Sequence, residues 1–228
     1  MVKSLITVGT NAKTIKSDKA SQYLTGILYM MPTHKTCANA KKAKCAEGCL
    51  VSAGRGKFNN VQQSRKRKTD LFFSDREAFK ALLVKDVEKH IRKCGREGKK
   101  PSVRLNGTSD INYQALKIKD GKNIMELYPA VQFYDYTKML NRISRHENYH
   151  LTYSYSRANE EYAKQCEKAF GNLAVVFRKE LPETFLGRKV IDGDKTDLRF
   201  LDPENVIVGL IAKGKAKKDT TGFVIDID

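Results

Sequence analysis

Residues 149–177 open with Tyr149-His150-Leu151-Thr152-Tyr153-Ser154-Tyr155, pass through a helical pattern over Asn159–Phe170, and return through Gly171 to Asn172-Leu173-Ala174-Val175-Val176-Phe177. Two short runs rich in β-branched and aromatic residues, one helix length apart, predict strand, helix, strand. Gly171 stands where a helix C-cap belongs. Working outward, further strands are predicted over Thr25–Met30, Ser102–Leu105, Val131–Tyr136 and Val206–Ala212, with Lys189–Ile191 as a weaker one. Ser74-Asp75-Arg76-Glu77 reads as a capping-box-like helix start, followed by an apolar stripe of Phe79, Leu82, Leu83, Val87 and Ile91. Helices are also predicted over Thr137–His146 and near Asn123–Tyr128. Alternating strands and helices imply right-handed crossovers and a mainly parallel sheet. The expected class is therefore α/β, a partial (βα) barrel of TIM-barrel-like form, with an open doubly wound sheet as the alternative. The 228 residues hold no repeat or low-complexity linker, which predicts a single domain over 1–228.

Charge divides the chain in two. Residues 1–100 carry 23 Lys and Arg against 8 Asp and Glu, whereas residues 101–228 carry 20 against 18, for a net charge of +17. Such a basic half attracts polyanions, so DNA or RNA is the expected partner. No run is long enough to span a bilayer, and Met1–Ile6 has no signal-peptide core, so no membrane association is expected. In a reducing cytoplasm the five cysteines are expected as thiols or metal ligands rather than disulfides.

Chemistry in such folds gathers at the carboxyl ends of strands. The polar residues obey this rule: Asn106, Gly107, Ser109 and Asp110 follow one strand, Asp135 and Lys138 end another, and Ser154 and Asn159 a third. Asp192 and Asp194 follow the weaker strand. Asp110, Asp135, Lys138, Asp192 and Asp194 are the candidate catalytic residues; Asn106, Gly107, Ser109, Ser154 and Asn159 are candidates for cofactor contact. Each turn taken alone reads equally as a cap or loop.

Cys37, Cys45 and Cys49 lie close together after the first strong strand, preceded by His34. With His34 they make a four-ligand set for zinc; without it, three thiolates can hold an iron–sulfur cluster that keeps one iron open. The alternative is an Ala-rich segment that merely buries three small residues. Cys94 and Cys166, on helical patterns, read as core. Arg55, Lys57, Arg65, Lys66, Arg67 and Lys68 follow the cysteines as candidate phosphate contacts, or as a solvated basic helix face. His146 and His150 have the spacing of a helical metal pair, but Tyr149–Tyr153 reads as a strand and separates them. His150 remains a weak acid–base candidate.

The Thr36–Leu50 cysteine segment, Ala53-Gly54-Arg55-Gly56, the Val103–Asp110 block, Tyr134-Asp135-Tyr136-Thr137-Lys138 and the Asp192–Phe200 tail together resemble the bacteriophage family named for gene product 88. The resemblance covers most of the chain and implies a phage origin. The arrangement is also similar to that of radical S-adenosylmethionine enzymes, whose three-cysteine loop follows the first strand of a partial barrel. That similarity implies a [4Fe-4S] cluster on Cys37, Cys45 and Cys49, with Asn106–Asp110 facing S-adenosylmethionine; the spacing between the cysteines here is seven and three residues. The leading expectation is a metal or iron–sulfur enzyme acting on nucleic acid or nucleotides in the host cytoplasm. The alternatives are a non-enzymatic zinc-stabilised nucleic-acid-binding protein and an Asp-dependent base-exchange or hydrolytic enzyme.

Overall fold

Seven apolar runs become seven neighbouring parallel strands in a computed structural model that describes residues 2–227 except 47, 50, 52, 169 and 170. The elements run β1 (Ile6–Val8), α1 (Ala12–Lys19), β2 (Tyr23–Leu28), α2 (Asn59–Ser74), α3 (Arg76–Arg96), β3 (Lys100–Arg104), α4 (Ile124–Leu127), β4 (Gln132–Thr137) and β5 (Tyr149–Ser154). They continue with α5 (Glu160–Glu167), β6 (Leu173–Phe177), β7 (Thr184–Phe185), β8 (Arg188–Asp192), β9 (Ile207–Ile211) and β10 (Val224–Ile225). The strand order is β1-β2-β3-β4-β5-β6-β9-β8-β7, and β10 pairs with β6. β2 to β6, β9 and β8 are parallel, while β1 and β7 pair antiparallel at the two ends.

The expectation of a partial barrel is therefore corrected: the sheet is open. A (βα) barrel needs strands in sequential order, each returned by a helix, until the last pairs with the first. Here β9 lies inside β8, reversing the order, and antiparallel strands flank both ends of the parallel run. Residues 138–148, between β4 and β5, form turns rather than the predicted Thr137–His146 helix. Arg142 is drawn to Asp110, and its carbonyl accepts the Tyr153 hydroxyl at 2.5 Å, which holds this segment in an irregular path. The predicted end of α5 at Phe170 lies outside the described residues.

Side-chain alternation divides the sheet into two faces. Val103, Leu105, Phe133, Tyr149 and Leu151 pack with Phe79, Leu83 and Val87 of α3, and Tyr153, Leu173, Val175 and Phe177 pack with Tyr162 and Cys166 of α5. Each such side chain, fully buried, contributes roughly 1.5–3 kcal/mol. One residue along from Val103 and Phe133, Arg104 and Tyr134 point instead to Asp197, in the segment after β8. The α3 start falls on Asp75, whose carboxylate accepts from Ala78 N at 2.9 Å; Ser74 ends α2. At the carboxyl end of β6, β5 has already stopped at Ser154, and β10 pairs with Val176 and Phe177 beyond it. This insertion brings residues 213–223 beside the cysteine segment.

Candidate functional site

The segment after β2 lies across the carboxyl ends of several strands, held by hydrogen bonds at each crossing. Asp110 N donates to Thr36 O at 2.7 Å, and Thr108 Oγ1 to Met30 O at 2.6 Å. Asn39 Nδ2 reaches Lys138 O at 2.8 Å, and Ser156 Oγ reaches Ala43 O at 2.8 Å. Gly48 then comes so near the C-terminal segment that a Cβ there would lie 3.2 Å from the Phe223 ring and 3.3 Å from Ala216 Cβ. The path is thus tied to β3, β4, β5 and the approach to β10.

This path brings Cys37, Cys45 and Cys49 within electrostatic reach of the ammonium of Lys138, just past β4. Burial of that ammonium lowers its pKa, but Cys45, Asp110, Cys49 and Cys37 together outweigh burial and hold it above the ordinary lysine value. Burial, then Asp110 and Cys49, push the Cys37 thiol up to about 12; burial also raises Cys49. Cys166 joins the same field, with its thiol pushed to about 11 by burial while Lys138 pulls the other way. At neutral pH these three thiols are protonated and poorly nucleophilic. Cys37 Sγ rests 3.9 Å from Thr108 O and Cys45 Sγ 3.8 Å from Ala40 O.

Asp110 stands beside this pocket as a clamp. Its Oδ1 accepts from Thr137 Oγ1 at 2.9 Å and pairs with Arg142 Nη1 at 3.0 Å, while Oδ2 accepts from Lys138 N at 2.8 Å. Asp135 forms the neighbouring knot. It accepts from Asn106 N at 2.6 Å, Asn106 Nδ2 at 2.9 Å and Tyr149 OH at 3.0 Å, and burial pushes it up to about 6. Asn106 Oδ1 in turn accepts from Ser109 Oγ and Ile111 N, both at 2.8 Å. Gly107 is obligatory, since a Cβ would lie 2.6 Å from the Tyr29 ring and 2.7 Å from Ile27 Cγ2.

The other expected residues are dispersed. The Ser154 carbonyl accepts Tyr162 OH at 2.8 Å, and Asn159 caps α5 by accepting from Tyr162 N at 2.9 Å. Asp192 accepts from Asp194 N at 2.9 Å, and Asp194 is drawn to Lys213 at 2.6 Å. His34 is exposed and lines a shallow groove with Thr69, Asp70 and Phe73; none of the cysteines lines it. His146, in a turn, bonds Asn123 at 3.0 Å, while His150 lies in β5, its pKa lowered by burial and by Arg199. Cys94 is buried in α3 beside His90.

The basic run divides by helical phase. Arg65 and Lys68 turn inward with Thr69 and Phe72. Arg65 lies 5.2 Å over the Tyr29 ring; Lys68 Nζ donates to Leu5 O at 2.6 Å, and burial brings its pKa down to about 8. Lys66 faces solvent and pairs with Asp70 at 2.9 Å, while Arg55, Lys57 and Arg67 are exposed.

Sequence reasoning missed a second electrostatic centre. Asp197 takes Lys13 at 2.9 Å, Arg104 at 3.4 Å and Tyr134 OH at 3.0 Å, and Arg199 pairs with Asp202 at 3.2 Å. Burial alone raises the Asp197 pKa, but Lys13 and Arg104 hold it down at about 2. Its one sequence signal is Arg104, a charge between the apolar Val103 and Leu105 at the end of β3.

As ligands, three thiols beside a lysine suit a soft metal or an iron–sulfur cluster in kind. In their present arrangement, no group of three or more His, Cys, Asp or Glu side chains among the described residues is placed to hold a metal ion. Nor, among those residues, is any helix long and apolar enough to cross a membrane. Fold and site together define an open-sheet α/β protein whose carboxyl edge carries a thiol–lysine pocket. Residues 4–227 match the family model described as Gene product 88, and the chain belongs to that family. No curated protein and no solved structure matches it. The similarity to radical S-adenosylmethionine enzymes loses the partial barrel on which its arrangement rested.

Proposed function

We propose that this chain is a phage-encoded enzyme of the host cytoplasm that acts on nucleic acid or its nucleotides, with Cys37, Cys45 and Cys49 taking up an iron–sulfur cluster. The observation that supports it is that three thiols lie within the electrostatic reach of one ammonium, Lys138, at the carboxyl edge of the sheet. Deprotonated sulfur donors form an anionic group, and a protonated lysine beside them offsets that charge. Uptake of a soft metal there would need Cys37, Cys45 and Cys49 as thiolates. It also requires the three side chains to draw together from their present arrangement. Asp110 holds Lys138 in place through its backbone N–H and so acts as a positioning residue. His34, exposed in its own groove, favours the three-thiol site over the four-ligand zinc alternative.

Anaerobic purification followed by absorption spectroscopy and metal analysis tests this reading. Brown charge-transfer bands and bound iron are expected, both lost in Cys45→Ala. Stoichiometric zinc without iron, or iron retained when all three cysteines are replaced by Ala, overturns it.

A further inference from the structure

A groove of about 590 Å3 lies beside the cysteine segment, with Gly48 on one wall and Lys215, Lys218, Thr220 and Thr221 on the other. We propose that it binds the phosphates of a nucleic-acid strand, an inference that rests on the nucleic-acid part of the function proposed above and locates it. Lys215, Lys217 and Lys218 are exposed, and among the described residues none has an acidic partner, in contrast to Lys213, which is taken by Asp194. Asp219 also lines the groove, but it is buried and both its oxygens are engaged, Oδ1 by Thr221 Oγ1 at 2.8 Å and Oδ2 by Val224 N at 3.0 Å. Two lysine charges thus stand against one carboxylate, and the net charge of the described lining is positive.

The loop that presents these lysines is firmly held. Arg178, itself paired with Asp226, donates to Lys217 O at 2.8 Å and to Asp219 O at 2.7 Å, which occupies two peptide oxygens that would otherwise be open to repel an anion. Among the described residues no aromatic side chain lines the groove, so they offer no surface on which to stack a base. Lysines and hydroxyls without a base platform fit sequence-independent contact with a sugar–phosphate backbone rather than capture of a mononucleotide. Gly48 adjoins Cys49, and the Phe223 ring that it touches lies 5.7 Å from Lys138 Nζ. A strand in the groove thus passes beside the thiol–lysine pocket.

Fluorescence anisotropy of labelled single-stranded DNA and RNA oligonucleotides, read across a salt series, tests the proposal on the full chain. The Lys215→Glu/Lys218→Glu double variant is expected to weaken binding at least about tenfold and to flatten the salt dependence by roughly two phosphate contacts. Lys66→Glu/Arg67→Glu, on the outer face of α2, is expected to weaken it far less. Absence of oligonucleotide binding by the unmodified protein overturns the proposal, as does equal binding by the Lys215/Lys218 variant. A mononucleotide that binds as tightly as the oligonucleotide overturns the assignment to a strand. Iron measured on the same samples keeps the two readings separate: oligonucleotide binding without iron removes only the cluster, and iron with undiminished binding in the double variant removes only the groove.

Discussion

The Asp197 junction and the Lys138 pocket both bury charge against the same sheet, but they settle it differently. At Asp197 the carboxylate meets Lys13, Arg104 and Tyr134 OH, so its charge is answered from α1, β3 and β4 at once. At Lys138 the cation lies in the field of three cysteines, and the carboxylate in that field, Asp110, is already paired with Arg142. A carboxylate answered from several elements at once locks them together and adds stability above the pH at which it ionises. A half-buried cation beside thiols, with Cys37 and Cys49 pushed upward by burial, lacks such partners and contributes little to stability.

Breaking the junction is expected to have the largest effect. Asp197→Ala leaves Lys13 and Arg104 without their counter-charge and is expected to cost about 3–5 kcal/mol in urea unfolding; a loss below about 1 kcal/mol would erase the contrast between the two centres. The acid limb comes next. With Asp197 held at about 2 against an ordinary 3.8, the native state is favoured above the ordinary value. About 2 kcal/mol of stability is then expected to disappear as pH falls from roughly 4 to 2, and Asp197→Asn should lack this part of the titration. The smallest expected change is at the pocket. Lys138→Met should move stability by less than about 1 kcal/mol, while alkylation of Cys37, already slow with a thiol pushed to about 12, slows further because the cation that favours its thiolate is gone. A faster reaction in that variant would show that Lys138 does not govern the thiols.

The sheet was legible because its strands carry their own signals. Val103, Leu105, Tyr149–Tyr155 and Leu173–Phe177 alternate or run apolar over strand lengths; Gly171 has a φ of +94°, but α5 stops earlier, at Glu167 with Lys168 as its C-cap. Strand order was not, since the exchange of β8 and β9 is set by tertiary packing that leaves no local mark. β1 escaped for a similar reason: Leu5 N and Ile6 N donate to Asp86 Oδ2 at 2.5 and 3.0 Å, a partner on α3 far along the chain. The basic run misled by composition. Arg65 and Lys68 share the inward helical phase of Phe72, and only that phase, not the charge count, tells them from Arg67. Of the site, the cysteines and Lys138 were readable from their places after strands, whereas Lys215 and Lys218 were concealed in a half of the chain whose net charge is nearly zero.

The insertion of β10 beside β6 has a consequence for the order of assembly. Gly48 packs on Ala216 and Phe223, so the cysteine segment is made early and finds its resting surface only after most of the chain has followed. Chains emerge amino end first, and contacts between distant segments form late. The three thiols therefore pass through synthesis before the wall that shelters them exists.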